Sequence, residues 1–234
     1  MKQGRIEEVW SSGAKCEACG IRDLVLFADL DQADFSLIHL PIDEVEVAAG
    51  EVLYNCQSSG AYLYTVRSGL LKLVQYLPDG GQRIVRLLKP GATAGLEASL
   101  GQPYEHTAIA LQPTALCRIP RQVVDRLSRE TPRLHAQLMQ RWHDSLRQAD
   151  DWLTGLSTGK APQRLARLLI QLMEPDGTAT LFSREDLGAM LGITTEHASR
   201  TVAELKRQEA IFELSPNRYL CAIDQLDCID AADC

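Results

Sequence analysis

The chain has 234 residues, 45% hydrophobic and 24% charged, the balance of an ordinary globular protein with one large domain or two smaller ones. No run of 18 apolar residues occurs, and MKQGRIEEVWSSG lacks the apolar core of an export signal, so a cytoplasmic protein with no membrane partner is expected. The net charge of −7 weighs against nucleic-acid binding, but four Asp sit in the last fourteen residues, CAIDQLDCIDAADC; the remainder, at −3, leaves room for a local DNA-reading surface.

In chain order, the first chemical feature is KCEACG at 15–20, which sets Cys16 and Cys19 three positions apart. Such a pair is half a zinc site, part of an iron–sulfur cluster, a redox dithiol, or inert, and the metal readings need further ligands. Seven irregularly spaced cysteines without an export signal read as thiols rather than a disulfide framework. Cys221, Cys228 and Cys234, seven and six apart, fit no metal motif and receive no role. DLDQADFSLIHLPI predicts a short helix leading into a strand. From about 43 to 120 the pattern is β-type runs, VEVAAGEVLY, AYLYTVRSGLLKLVQYL, QRIVRLLKPG and HTAIALQPTALCRIP, divided by turn chemistry such as PDGG at 78–81 and KPG at 89–91. A sandwich or jelly roll is the expectation, with a mixed α+β domain as the alternative.

From Pro132 a long helix is predicted, with Leu134, Leu138, Trp142, Leu146, Ala149, Leu153 and Leu156 on a single stripe. That stripe packs on its own domain or, the sharper reading, on a second copy. Gly155 and STGKAP at 157–162 read as a hinge, QRLARLLIQLM as a helix and EPDGTATLF as a hairpin or loop. In FSREDLGAMLGITTEHASRTVAELKRQEAI, Ser183 caps one helix and Thr194 or Thr195 a second, with Gly192 at the turn. Leu187, Met190, Leu191, Ala198, Val202 and Leu205 face inward; Glu196, His197, Ser199, Arg200 and Glu204 face outward. The reading is a helix-turn-helix that binds double-stranded DNA, against an ordinary α-hairpin.

This order of elements, with GEVLYNCQSSGAYLYTVRSGLLKL, KPG, CRIP and LGITTEHASRTVAEL, resembles the CRP/FNR family of bacterial transcription regulators over nearly the whole chain. The resemblance implies an α+β protein. Its parts are a cysteine-bearing arm at 1–30, a cyclic-nucleotide-binding-like jelly roll at 31–125, a dimerisation helix at 126–157 and a winged helix-turn-helix at 158–234. IFELSPNRYLCAI would supply the wing. It also implies a homodimer that works with RNA polymerase and is not an enzyme. The pattern of Glu196, Ser199 and Arg200 resembles the FNR branch, which implies TTGAT-like half-sites read by Thr194, Thr195, Glu196, Ser199 and Arg200.

Cyclic-nucleotide binding is not expected. In GATAGLEASLGQPYEHTAIA, Leu96 stands where relatives have a ribose-binding carboxylate, and His106 and Thr107 where they have Arg-Ser. A cyclic phosphate wants a bidentate Arg. Glu97, one position along in a strand, would point to the opposite face. The FNR branch instead implies a [4Fe-4S] cluster, for which Cys16, Cys19 and Cys117 match three ligands. Val25 occupies the place of the third arm cysteine, leaving the fourth ligand to Asp23, Asp29 or another group. A thiol switch on the same cysteines is the alternative chemistry, and haem or a small organic effector in the β-domain the alternative regulator. A C-x-x-C thiol oxidoreductase would need a parallel β-α-β run around the motif, and the sequence has none there. FNR-type proteins carry an acidic residue in the helix seam where this chain has Ala149, which implies a dimer that does not depend on a cofactor.

Overall fold

A computed structural model describes residues 26–38 and 40–231. Cys16, Cys19, Asp23, Val25 and Cys234 lie outside the described residues. The rest falls into two compact units. One takes the chain up to Gln75 together with Arg86–Arg147; the other takes Tyr76–Val85 and the chain from Gln148 onward. The fold class is α+β, as the sequence predicts.

A short helix α1 (Gln32–Phe35) precedes β1 (Asp43–Val47), β2 (Val52–Tyr54), β3 (Tyr62–Tyr76), β4 (Gln82–Leu88), β5 (Thr93–Ala94) and β6 (Thr107–Pro120), all in the first unit except Tyr76 of β3 and residues 82–85 of β4. The sheet runs β1-β6-β3-β4, with β2 antiparallel to β6 and β5 antiparallel to β3. Two strands of 15 and 14 residues, β3 and β6, form its spine, because their β-branched and leucine-rich runs pair along most of their length. Leu63, Val66, Leu71, Val74 and Leu116 are fully buried in the core of the first unit. Between β5 and β6 the segment Leu96–Leu100 is a 3₁₀ turn, not a strand. Strand alternation therefore does not apply to Glu97, and its side chain is buried rather than turned away.

α2 (Arg121–Glu130) ends at Thr131, and α3 (Pro132–Leu156) follows as one helix of 25 residues. Gly155 sits inside α3; the break comes after Leu156. The predicted single stripe divides in two. Leu134, Leu138, Trp152 and Leu156 are buried, whereas Met139, Leu146 and Leu153 are exposed by 51, 64 and 64%. A straight helix drifts about 20° per heptad, so a stripe drawn over 25 residues cannot stay on one face.

Asp31 and Asp34 cap α1 reciprocally, each side chain accepting from the other's backbone N–H. From α3, Arg133 Nε donates to Asp34 Oδ2 at 2.9 Å, and the same guanidinium pairs with Asp31. Gln137 on α3 donates to Asp29. The described end of the arm is thereby tied to the start of the long helix. Burial pushes the Asp34 carboxyl up, but the Arg133 guanidinium and the Asp31 N–H outweigh it and hold the group below its ordinary 3.8. A depressed folded pKa gives stability that is present above the ordinary value and lost as pH falls below it. We expect Asp34→Asn to flatten the acid limb of the thermal unfolding midpoint below about pH 4, and circular dichroism melts of parent and variant across that range test this.

The second unit contains α4 (Ala161–Leu172), β7 (Thr178–Thr180), α5 (Arg184–Leu191), α6 (Thr195–Arg207), β8 (Ile211–Ser215), β9 (Arg218–Cys221) and α7 (Ile223–Ala231). The strands form a sheet in the order β7-β9-β8. Leu165, Leu168, Leu187, Met190, Leu205, Tyr219 and Leu226 make its core. Within the acidic tail, α7 packs through Leu226 and Ile229, and Asp230 pairs with Arg167 of α4. Cys56 and Cys221 are free thiols, whereas Cys228 on α7 is disulfide-bonded, a pairing its spacing did not foretell.

Candidate nucleic-acid interface and sulfur site

Ser183 caps α5 by accepting from Asp186 N at 3.0 Å, and its hydroxyl donates to the Asp186 carboxylate at 2.9 Å. Gly192 closes α5 in the left-handed region at φ 66°, a conformation that costs glycine little. Gly188 lies so close to the following segment that a Cβ there would stand 2.7 Å from Ile193 O. These two glycines permit the tight crossing of α5 and α6. Arg164 of α4 donates to Leu191 O, which puts a cation at the C-terminal end of α5, where the helix dipole favours one. No spacing or motif marks that contact in advance.

Thr194 caps α6 by accepting from His197 N at 3.2 Å, so of the two candidate caps it is this one. Ala198, Val202 and Leu205 are buried, together with Thr201, whose hydroxyl donates to His197 O at 2.8 Å. Thr195, Glu196, Ser199 and Arg200 all stand on the exposed face. The Glu196 and Arg200 side chains are 81 and 70% exposed and 3.9 Å apart. An exposed pair at that separation is worth ~0.3–0.5 kcal/mol, so it does little to prevent either group from taking another partner. β8 and β9 form the predicted wing hairpin, pinned to α5 and α6 through Tyr219: Arg184 donates to its hydroxyl at 3.2 Å, and the Lys206 ammonium lies 5.3 Å from its ring centroid.

In the β-domain, Leu96 and His106 are both buried, at 5 and 8% exposure. Burial, then the nearby Arg86 guanidinium, lower the His106 pKa, which favours the neutral ring at pH 7. Arg86 donates to Ser145 on α3, and Glu97 accepts from Glu105 N at 3.0 Å. Tyr54 and Tyr104 stack beside them with centroids 3.9 Å apart, and Tyr104 donates to Tyr62 O at 2.8 Å. Arg86, half-buried and invisible to motif reading, is a cation of this region, and it is directed to the long helix.

Cys117 lies in β6 at 8% exposure, in register with Glu44 of β1 and Thr65 of β3; Thr65 in turn is in register with Thr93 of β5. Cys56 is half-buried, and its thiol donates to Glu105 O at 3.2 Å. Among the described residues no group of three metal-ligating side chains comes together, and no helix is long and apolar enough to cross a membrane.

Residues 44–131 match the family described as "Cyclic nucleotide-binding domain", and residues 163–227 match the "Crp-like helix-turn-helix domain". The chain is 25% identical to the fumarate and nitrate reduction regulatory protein of Vibrio cholerae, over 84% of this chain and 82% of that protein. It is 25% identical to the anaerobic regulatory protein of Aggregatibacter actinomycetemcomitans, over 88% of this chain and 84% of that one. Among solved structures, FixK2 from Bradyrhizobium japonicum superposes with a TM-score of 0.75 at 25% identity, covering 83% of this chain and all of that one.

Proposed function

The chain belongs to the CRP/FNR family of transcription regulators, and from that premise we propose a homodimer that reads TTGAT-type palindromes and responds to oxygen or redox state through its cysteines. It is a DNA-binding regulator and not an enzyme. The relatives' names, for fumarate and nitrate reduction and for anaerobic regulation, support the redox reading.

The observation that carries the proposal is the outward face of α6. Arg200 can donate to guanine N7 and O6, Glu196 can accept from a cytosine amino group, and Ser199 is short enough to allow close approach to a base. Thr194 and Thr195, at the helix N-terminus, suit phosphate. Two copies would place their recognition helices about 34 Å apart on one face of the duplex, with RNA polymerase as the further partner. Fluorescence anisotropy with a TTGAT palindrome and a scrambled duplex, without air and in air, tests specificity and response together. Equal affinity for both duplexes would remove the proposal.

The exposed residues of α3 support the dimer. Met139, Leu146 and Leu153 recur every seven residues, and Trp142 and Ala149 fall between them, the a/d spacing of a two-stranded seam. Ala149 brings no charge into it. We expect dimers at micromolar concentration in metal-free protein. Leu146→Glu, which sets two carboxylates against each other at a two-fold seam, is expected to give monomers of unchanged helix content. Sedimentation with circular dichroism reads both, and a monomeric parent would contradict the first.

For the sensor, Cys16, Cys19 and Cys117 would hold a [4Fe-4S] cluster, which supplies oxygen-sensitive iron–sulfide bonds. Of these three, Cys117 alone lies within the described residues, buried in β6. A cyclic nucleotide is not part of the proposal, because Leu96 is apolar, His106 tends to the neutral form, and Arg86 is engaged with Ser145.

A further inference from the structure

The segment 157–160, between α3 and α4, is exposed along its length, so water could serve its backbone. It is gripped from α4 instead. Arg167 Nη1 donates to Gly155 O at 2.9 Å and to Thr158 O at 3.0 Å. Gly155 O belongs to the last turn of α3, where carbonyls lack partners within the helix and the dipole favours a cation. One turn earlier on the same face of α4, Gln163 Oε1 accepts from Lys160 N at 2.8 Å. Gly159, at φ 83°, lies so close that a Cβ there would stand 2.8 Å from that same oxygen.

The other ends of both side chains meet a single residue. Arg167 Nε donates to the Asp230 carboxylate, and Gln163 Nε2 donates to Asp230 O at 3.0 Å. Asp230 stands in the last turn of α7, the helix that Leu226 and Ile229 bury. A guanidinium is a planar fork, so a carboxylate on its Nε side fixes the direction in which Nη1 points. Capping the end of α3 needs only a cation. Here the side chain and the backbone of one α7 residue separately orient the two groups that hold the hinge.

Resting on the reading of a dimer that binds a palindrome, we propose that α7 sets the hinge through Asp230, with Arg167 and Gln163 as positioning residues for DNA reading. Neither is offered as a contact to a base. They fix the course of the chain from the end of α3 into α4, and with it the separation of the two recognition helices that a palindrome demands. The C-terminal helix is therefore part of the device that measures half-site spacing.

Asp230→Ala and Arg167→Lys test this in the full chain. Lysine keeps a charge for Asp230, but its single nitrogen cannot also serve Gly155 O and Thr158 O. Anisotropy is read on TTGAT palindromes with half-sites at the parent's best spacing and one base pair further apart. Both variants are expected to lose about tenfold of the parent's preference between them. Hydrogen exchange at residues 157–160, measured without DNA, is expected to quicken in both. Asp227→Ala, on the exposed side of α7, removes the same charge from the tail and is expected to match the parent in both measurements. Variants at Asp230 and Arg167 that discriminate as the parent does overturn the proposal. An equal loss of affinity for both duplexes overturns it too, since that marks damage to the fold, and so does Asp227→Ala acting like Asp230→Ala, since that makes tail charge the cause. A parent indifferent to spacing removes the palindrome reading instead, and exchange at 157–160 then still shows whether Asp230 holds the hinge. Should Asp230→Ala release α7, Arg167→Lys carries the same comparison.

Discussion

Arg200→Ala is expected to abolish specific DNA binding at concentrations where the parent saturates a TTGAT palindrome. A bidentate contact from Arg to guanine is worth about 1–3 kcal/mol of discrimination, and a homodimer makes it in both half-sites. The combined loss is about 2–6 kcal/mol, or roughly 30-fold to more than 10⁴-fold in affinity. The side chain is 70% exposed and, among the described residues, is held by a 3.9 Å contact to Glu196, so its removal leaves the fold intact. Specificity should relax at the contacted base pair while residual binding keeps its salt dependence. A phosphate contact would behave otherwise: its loss weakens all sequences alike and lowers the salt slope by about one. Anisotropy titrations at two salt concentrations, on the palindrome and on a duplex altered at the guanine, separate the two. If Arg200→Ala binds as tightly and selectively as the parent, the outward face of α6 is not the reading surface.

The elements that are most local in character were the most legible. The helix-turn-helix could be read because its signals are short-range: a Ser cap, a Gly at the turn, a Thr cap and apolar residues at helical spacing all lie within Ser183–Leu205, and the structure places each accordingly. The long strands were legible from their β-branched runs and turn residues. What escaped was set by tertiary contacts. The 3₁₀ turn at Leu96–Leu100 looks like strand in a periodicity scan, and its assignment as strand misplaced Glu97. The long helix was found, but its face was drawn as one stripe where packing makes two, one buried at Leu134 and Leu156 and one left exposed at Leu146 and Leu153. Arg86 reaching Ser145, Arg164 reaching Leu191 O and the row of Thr65, Thr93 and Cys117 each join residues far apart in sequence, and no spacing rule could have paired them.

Cys16→Ser, Cys19→Ser and Cys117→Ser, each alone, are expected to erase the difference between anaerobic and aerobic DNA affinity, while Cys56→Ser leaves it intact. Cys56 has a local role, donating to Glu105 O within the β-domain. Coupling would run through the arm. Its described end is gripped by α3, with Arg133 on Asp31 and Asp34 and Gln137 on Asp29. A change in what holds the arm therefore acts on the helix whose exposed residues at 139, 146 and 153 form the proposed seam, and so on the spacing of two recognition helices. With Val25 at the third arm position, a carboxylate would have to complete a four-ligand site. Asp29 accepts from Gln137 through one oxygen, so its recruitment would act directly on a link between arm and helix. A carboxylate is a harder ligand than thiolate, so a cluster held in this way should be lost to oxygen faster than one held by four cysteines. The affinity ratio should respond at correspondingly low oxygen. Anisotropy in sealed cells with stepped oxygen reads the parent and the four variants on one scale. If the variants at Cys16, Cys19 and Cys117 all keep the parent's ratio, the cysteines are not the sensor, and the signal must enter through the β-domain where Arg86 meets α3.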